Sequence, residues 1–223
     1  MRTAEVIAVG SELLGMNRTD TNSLYISQRL SEIGVDVRVK TIVGDERRDL
    51  ASVFRQALER VDVVVLTGGL GPTDDDLTRE VVADVLDLPI SVDETIVEKI
   101  RARFERRGLT MPEVNRRQAQ VPRGAMVLDN PNGTAPGLYI EHAGVHMVVE
   151  EAKQDVGRPH AGEKLVAGDH VQGILVHGHL GTLPQAGQSG RGHRLGQIDA
   201  QSGRSHPLQS FHAAGLRRSA KST

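Results

Sequence analysis

Val61-Asp62-Val63-Val64-Val65-Leu66, followed at once by Thr67-Gly68-Gly69-Leu70-Gly71-Pro72-Thr73-Asp74-Asp75-Asp76-Leu77-Thr78, decides the fold. The first six residues form an apolar run of the length and β-branched content of a buried parallel strand. The residues after Thr78, as far as Leu86, are amphipathic and predict a helix. The glycine-rich stretch is therefore a strand-to-helix loop at the carboxyl end of a strand, the place where open α/β sheets bind their ligands. Gly68, Gly69 and Gly71 let the backbone turn sharply and approach a ligand. Three carboxylates, Asp74 to Asp76, stand at the start of the helix.

Working outward, the same alternation recurs on both sides. Before the loop, Glu5–Val9 is a short apolar strand, and Gly10-Ser11-Glu12 opens a loop that ends in the capping candidates Asp20, Thr21 and Asn22. Leu24, Ile26, Leu30 and Ile33 form a helical stripe closed by Gly34. Val35 to Lys40 alternates apolar and polar, which predicts a strand with one wet face at the sheet edge. Leu50, Val53, Phe54, Ala57 and Leu58 mark a second helix. After the loop, Leu88-Pro89-Ile90 breaks the third helix and Val92 to Gly108 predicts a fourth. Pro112 to Gln120 is polar and partly helical in pattern, with Asn115, Arg116 and Arg117 available to a ligand. Ala125–Leu128, Leu138–Ile140 and Val145–Val149 are short strands separated by the turn-rich Asn130–Gly137 loop and by His142-Ala143-Gly144. The expected architecture is a three-layer α/β/α sandwich with a largely parallel sheet.

Composition divides the chain near residue 150. Of 223 residues, the segment from Glu151 onward holds 12 of the 24 glycines and 7 of the 9 histidines. Residues 1–149 are expected to form the domain, and 150–223 an atypical tail that is poorly ordered or the product of a frameshift. A net charge of −2 gives no reason to expect a nucleic-acid or anionic-membrane partner. No apolar run has membrane-spanning length. There is no cysteine, and the first strand begins almost at the amino terminus, so a reducing, cytoplasmic location is expected.

Four stretches, AVGSELLGMNRTDTNS, VGDERRDL, TGGLGPTDDDLT and NPNGTAPG, resemble in order and spacing the N-terminal domain of the competence/damage-inducible protein A (CinA) family, within the molybdopterin-binding superfamily. The resemblance runs from Met1 to about Val149 and stops where the family usually continues into a PGPP-type loop; here the chain reads Glu150-Glu151-Ala152-Lys153. It implies the same α/β/α fold and a metal-dependent ADP-ribose pyrophosphatase activity; a homo-oligomer is also expected. Relatives in molybdenum-cofactor synthesis use two aspartates for adenylyl transfer, and those positions match Asp45 and Asp76 in this chain.

The candidate site follows from the loops and the resemblance together. Backbone amides in a glycine turn at a helix N-terminus attract phosphate, and carboxylates beside them call for a divalent cation, Mg²⁺, Mn²⁺ or Co²⁺. Gly10, Ser11, Asn22, Thr67, Gly68, Gly69, Gly71, Thr78, Asn132, Gly133 and Thr134 are expected to bind a nucleotide or pterin. The resemblance implies that Asp76 and Asp45 are catalytic; together with Glu12 they are expected to hold the metal. From the residues alone, helix capping explains Asp74–Asp76 equally well and Asp45 better. His142, His146 and the His177-Gly178-His179 pair are weak metal candidates, since no ligand set of known spacing closes around them. Alternatives to the pyrophosphatase are a molybdopterin-binding module without hydrolysis and an inactive, truncated product.

Overall fold

The computed structural model describes residues 1–16 and 18–151. The tail beyond residue 151, with His177, His179, Arg217, Arg218 and Lys221, lies outside the described residues.

Six strands form one sheet. Strand β1 is Thr3–Val9, β2 Asp36–Val43, β3 Val63–Thr67, β6 Met126–Leu128, β7 Gly137–His142 and β8 Val145–Glu150. Their spatial order is β2-β1-β3-β8-β7-β6. Strands β2, β1, β3 and β8 are mutually parallel, whereas β7 runs antiparallel to both β8 and β6. Val63 to Leu66 are wholly buried, as expected of a strand flanked on both sides and covered on both faces. β2 is the edge strand that its alternation predicts, exposing Asp36, Arg38, Lys40 and Ile42. The β7–β8 turn places Ala143 at φ 51° and Gly144 at φ 85°, the conformation of a two-residue hairpin that follows the twist of its strands.

Helices complete the layers. α1 (Thr21–Glu32) covers one face, where Ile26 and Leu30 pack on Ala4, Val6, Val63 and Val65. α2 (Arg47–Arg60) and α3 (Thr78–Val85) cover the other, packing Leu50, Phe54, Ala57, Val81 and Val82 on Ile7, Val9, Val64 and Leu66. The buried spacings of four and three residues in α1 and α2 put these side chains on single faces. Each large side chain buried in this way stabilises the fold by roughly 1.5–3 kcal/mol. Leu24, expected on the inner stripe of α1, is 55% exposed, because it falls one position off the face set by Ile26 and Leu30.

A smaller unit was only partly foreseen. β4 (Ile90–Val92) pairs antiparallel with β5 (Gln120–Pro122), forming a two-stranded sheet where the sequence predicted only a break. α4 (Glu94–Glu105) starts after Asp93, whose side chain accepts from Thr95 N. With the 3₁₀ helix Glu113–Ala119 it encloses a core of Ile96, Val97, Ile100 and Ala119.

The topology fixes where the loops diverge. From β1 the chain moves outward to β2, then crosses back to β3 on the other side of β1. The connections therefore diverge at the carboxyl ends of β1 and β3, which is the switch point of the sheet.

Candidate functional site

The glycine loop lies at that switch point. Gly68 donates its N–H to the Glu150 carbonyl at 2.9 Å, anchoring the loop to the end of β8. With φ at 101°, a side chain there would be strained, and its Cβ would run into the Val9 carbonyl oxygen of β1. Gly69, with φ 68°, has Thr78 Oγ1 where a Cβ would lie. These two positions demand glycine for conformation and for space. Buried Thr78 then fastens the far end of the loop: its hydroxyl donates to Gly68 O at 2.8 Å and its N–H to Gly69 O at 3.2 Å.

Two arginines brace the middle. Arg79, only 2% exposed, donates from Nη2 to Leu70 O at 2.9 Å and from Nη1 to Arg117 O at 3.4 Å. Burial lowers its pKa to about 10, against the attraction of Glu151, Asp76 and Glu80, so it stays protonated at neutral pH. Arg117 reaches back from the 3₁₀ helix to Thr73 O at 2.6 Å, Asp74 Oδ1 at 2.9 Å and Glu80 Oε1 at 2.9 Å. Its pKa is raised, chiefly by the Glu80 bond.

The carboxylates take distinct places. Asp76 folds back on its own loop, accepting at Oδ2 from Thr73 N at 2.8 Å and Thr73 Oγ1 at 2.6 Å. Asp74 is exposed and paired with Arg117. None of Asp74–Asp76 caps α3, whose N-cap is Leu77 with no side-chain bond. Asp45 does not cap α2 either, since Glu46 occupies that position. Instead Asp45 Oδ2 accepts from Ser11 N at 2.8 Å while Asp45 N donates to Ser11 Oγ at 3.0 Å. This reciprocal clasp ties the loops after β1 and β2 together. Asp45 and Asp76 thus belong to loops on strands either side of β1, whose axes are about 10 Å apart.

Other expected residues divide between contact and support. Asn22 Nδ2 donates to Thr67 Oγ1 at 2.9 Å, so these two buried groups hold α1 to the end of β3. Asp20, by contrast, does cap α1, through Ser23 N. Glu12 is exposed, its carboxylate folded beside Gly10. Asn132, Gly133 and Thr134 lie in the β6–β7 loop, on the same edge of the sheet but beyond β8 and β7. Asn130 organises that loop, accepting from Asn132 N and Gly133 N and donating to Ala135 O. Arg103 of α4 pins it from outside by bonds to the carbonyls of Asn130, Pro131 and Gly133.

Three residues offered to a ligand by the sequence are engaged elsewhere. Asn115 is buried against Gln118, Arg116 pairs with Glu94 and Glu113, and Arg117 grips the glycine loop. His146 Nδ1 lies 2.8 Å from Tyr139 OH and the two rings stack, away from His142 at the end of β7. Arg79 was not anticipated. Its signal was an arginine on the inner stripe of α3, three residues before Val82 and seven before Leu86.

Among the described residues, no three of His, Asp and Glu gather as a ligand set for a metal ion. The fit of a divalent cation rests on less. Mg²⁺ and its kin are commonly held by one or two carboxylates with the substrate's own phosphates. Both bonds to Asp76 fall on Oδ2, and the bond to Asp45 likewise, so each keeps an Oδ1 for such an ion.

The fold and site define an α/β protein whose glycine loop lies at the switch point of its sheet. Residues 5–152 match the family described as "Probable molybdopterin binding domain", and the chain belongs to that family, in its CinA branch. It is 54% identical over 138 residues to a CinA-like protein of Koribacter versatilis strain Ellin345. It is 49% identical over 138 residues to a CinA-like protein of Acidobacterium capsulatum. Each alignment covers 62% of this chain and 33% of the relative, so the chain spans about a third of the length of the curated relatives it matches. Among solved structures, the CinA protein of unknown function from Thermoplasma acidophilum superposes with a TM-score of 0.62 at 33% identity, covering 67% of this chain and 88% of that one.

Proposed function

We propose that the domain binds the diphosphate of a nucleotide in the crevice over β1 and β3 and hydrolyses the pyrophosphate bond of ADP-ribose. The observation that carries this reading is the glycine loop itself. Gly68 and Gly69 let it pack closely on the end of β1 and on Thr78, with a buried guanidinium beneath it, Asp76 within the loop and Asp45 on the loop after β2. A divalent ion, held by Asp76 and Asp45 with the substrate's phosphates, would supply charge neutralisation and acidify a water molecule. The chain's own part is to bind and orient. The amides of Gly69, Leu70 and Gly71 take the phosphates, and the Asp76 carboxylate, beside the ion it would hold, orients the attacking water, whose proton passes to solvent. That water adds to one phosphorus as the bond to the bridging oxygen breaks, giving AMP and ribose 5-phosphate. No side chain need form a covalent intermediate. A cytoplasmic, homo-oligomeric protein with no nucleic-acid or membrane partner completes the proposal; no helix of the described residues is long and apolar enough to cross a membrane.

The test is ADP-ribose hydrolysis in Mn²⁺ or Co²⁺ by the wild-type chain and by Asp76→Ala. Loss of about 10²-fold or more in kcat is expected for a residue that acts with the metal. Turnover unchanged by the substitution removes Asp76 from the reaction. A second reading, capture of a molybdopterin without hydrolysis, draws support from the family match. Parallel titrations with molybdopterin and ADP-ribose separate the two.

A further inference from the structure

Among the described residues, Arg79 is a buried charge with no carboxylate in contact. Its bonds there run to two carbonyl oxygens, Leu70 O and Arg117 O, and its Nε–H has no partner among them. A buried charge normally forms a close ion pair, because desolvation otherwise outweighs what the site returns. The carboxylates that attract Arg79, Glu151 first and then Asp76 and Glu80, act on it through space. Burial lowers its pKa only to about 10, so the charge is present at neutral pH. It is bonded directly to the backbone of the glycine loop, at Leu70 O.

We propose that Arg79 is the positioning residue that gives the glycine loop its affinity for phosphate. It holds Leu70 O inward, so that the neighbouring amides face the crevice, and it adds a positive field weakly screened by solvent. Arg79 does not touch the ligand; Arg117, bonded at both Thr73 O and Asp74, transmits the brace to the far side of the loop. The inference rests on the phosphate reading of this loop. It extends that reading by assigning the affinity to a residue outside the loop and to an inorganic diphosphate group as the recognised chemistry.

The experiment uses the full chain and inorganic pyrophosphate, titrated calorimetrically with and without Mg²⁺, for wild type, Arg79→Met and Arg79→Lys. Amide hydrogen exchange of residues 68–76 and the thermal midpoint are followed in parallel. Arg79→Met is expected to bind pyrophosphate roughly tenfold more weakly, the loss of a charge-assisted interaction. Arg79→Lys is expected to recover part of that affinity, since it keeps the charge but cannot span both carbonyls. Exchange of the loop amides should quicken in both variants while the sheet amides hold. Wild type that fails to bind pyrophosphate rejects the phosphate reading and this proposal with it. Wild type that binds, beside a folded Arg79→Met that binds equally well, overturns the proposal alone. If Arg79→Met does not fold, Arg79→Lys decides: affinity and loop exchange both equal to wild type overturn the proposal, and a shift in both supports it.

Discussion

The two ends of the central strands are held by opposite means. At the amino end, charge is spent inside the protein. Glu5, wholly buried in β1, accepts from Arg60 Nε at 2.8 Å, Arg60 Nη2 at 2.6 Å and Thr41 Oγ1 at 2.9 Å, so both its oxygens are satisfied. Asp62 there accepts from Thr3 N at 2.7 Å and Thr3 Oγ1 at 2.9 Å. At the carboxyl end the backbone is held by glycine geometry and by arginines on carbonyl oxygens, while Asp45 and Asp76 each give only one oxygen to the protein. The first arrangement fixes strands; the second leaves polar atoms for something else. The difference leaves the carboxyl edge with the polar atoms that the proposed function needs, which glycines or acidic residues alone would not show.

This contrast can be broken by substitution. The largest loss of stability is expected from Arg60→Ala, which strands Glu5 as an unpaired buried carboxylate and should cost about 3–5 kcal/mol in urea unfolding. A loss near zero would mean that Glu5 is not the charge the amino end depends on. Gly68→Ala should cost about 2–3 kcal/mol, combining a left-handed conformation with a collision against Val9 O, and should also abolish ligand binding. Asp62→Asn should cost about 1 kcal/mol at neutral pH, the net worth of its hydrogen bonds. Its pH dependence sharpens the point. The bonds from Thr3 hold the Asp62 carboxyl below its ordinary value. A carboxylate with a depressed folded pKa contributes fully above its unfolded value, about 3.9, and loses that contribution as pH falls through the folded pKa. The Asn variant should therefore show a shallower stability slope below about pH 4. At the carboxyl edge, Asp45→Ala should change stability by about 1 kcal/mol or less while lowering turnover, because its bond to Ser11 is partly exposed. The smallest effect belongs to Met16→Ser, fully exposed in the first loop and expected to lie within about 0.5 kcal/mol of wild type.

The sheet was legible where local pattern and global position agree. The Val63–Leu66 run, the alternation of β2 and the turn before Val145 each state their place in a few residues. Gly68 and Gly69 were legible as loop glycines for the same reason. What escaped depends on partners far along the chain. Arg79 meets Arg117, and Asp45 meets Ser11, across 38 and 34 residues of sequence. Nothing within a helical window of Asp45 distinguishes a clasp from a cap. β4 and β5 escaped because each is only three residues long and Pro89 and Pro122 flank or end them. Arg103, part of an amphipathic helix with many charges, gave no sign that it would pin the Asn130 loop.

The position of β8 carries a consequence for how the molecule assembles. β8 pairs locally with β7 across a two-residue turn, yet its other neighbour, β3, is some 80 residues earlier, with Val63 beside His146 and Thr67 beside Glu150. A closure of that length is entropically expensive before its contacts form, and it slows folding. The half-sheet β2-β1-β3 can gather early, but β3 then offers an open edge until the β6-β7-β8 unit docks. Since Gly68 N bonds to Glu150 O, the glycine loop takes its final shape only in that last event. Refolding followed at the loop should therefore lag refolding followed at β1 and β2, with the crevice as the slowest part of the molecule to mature.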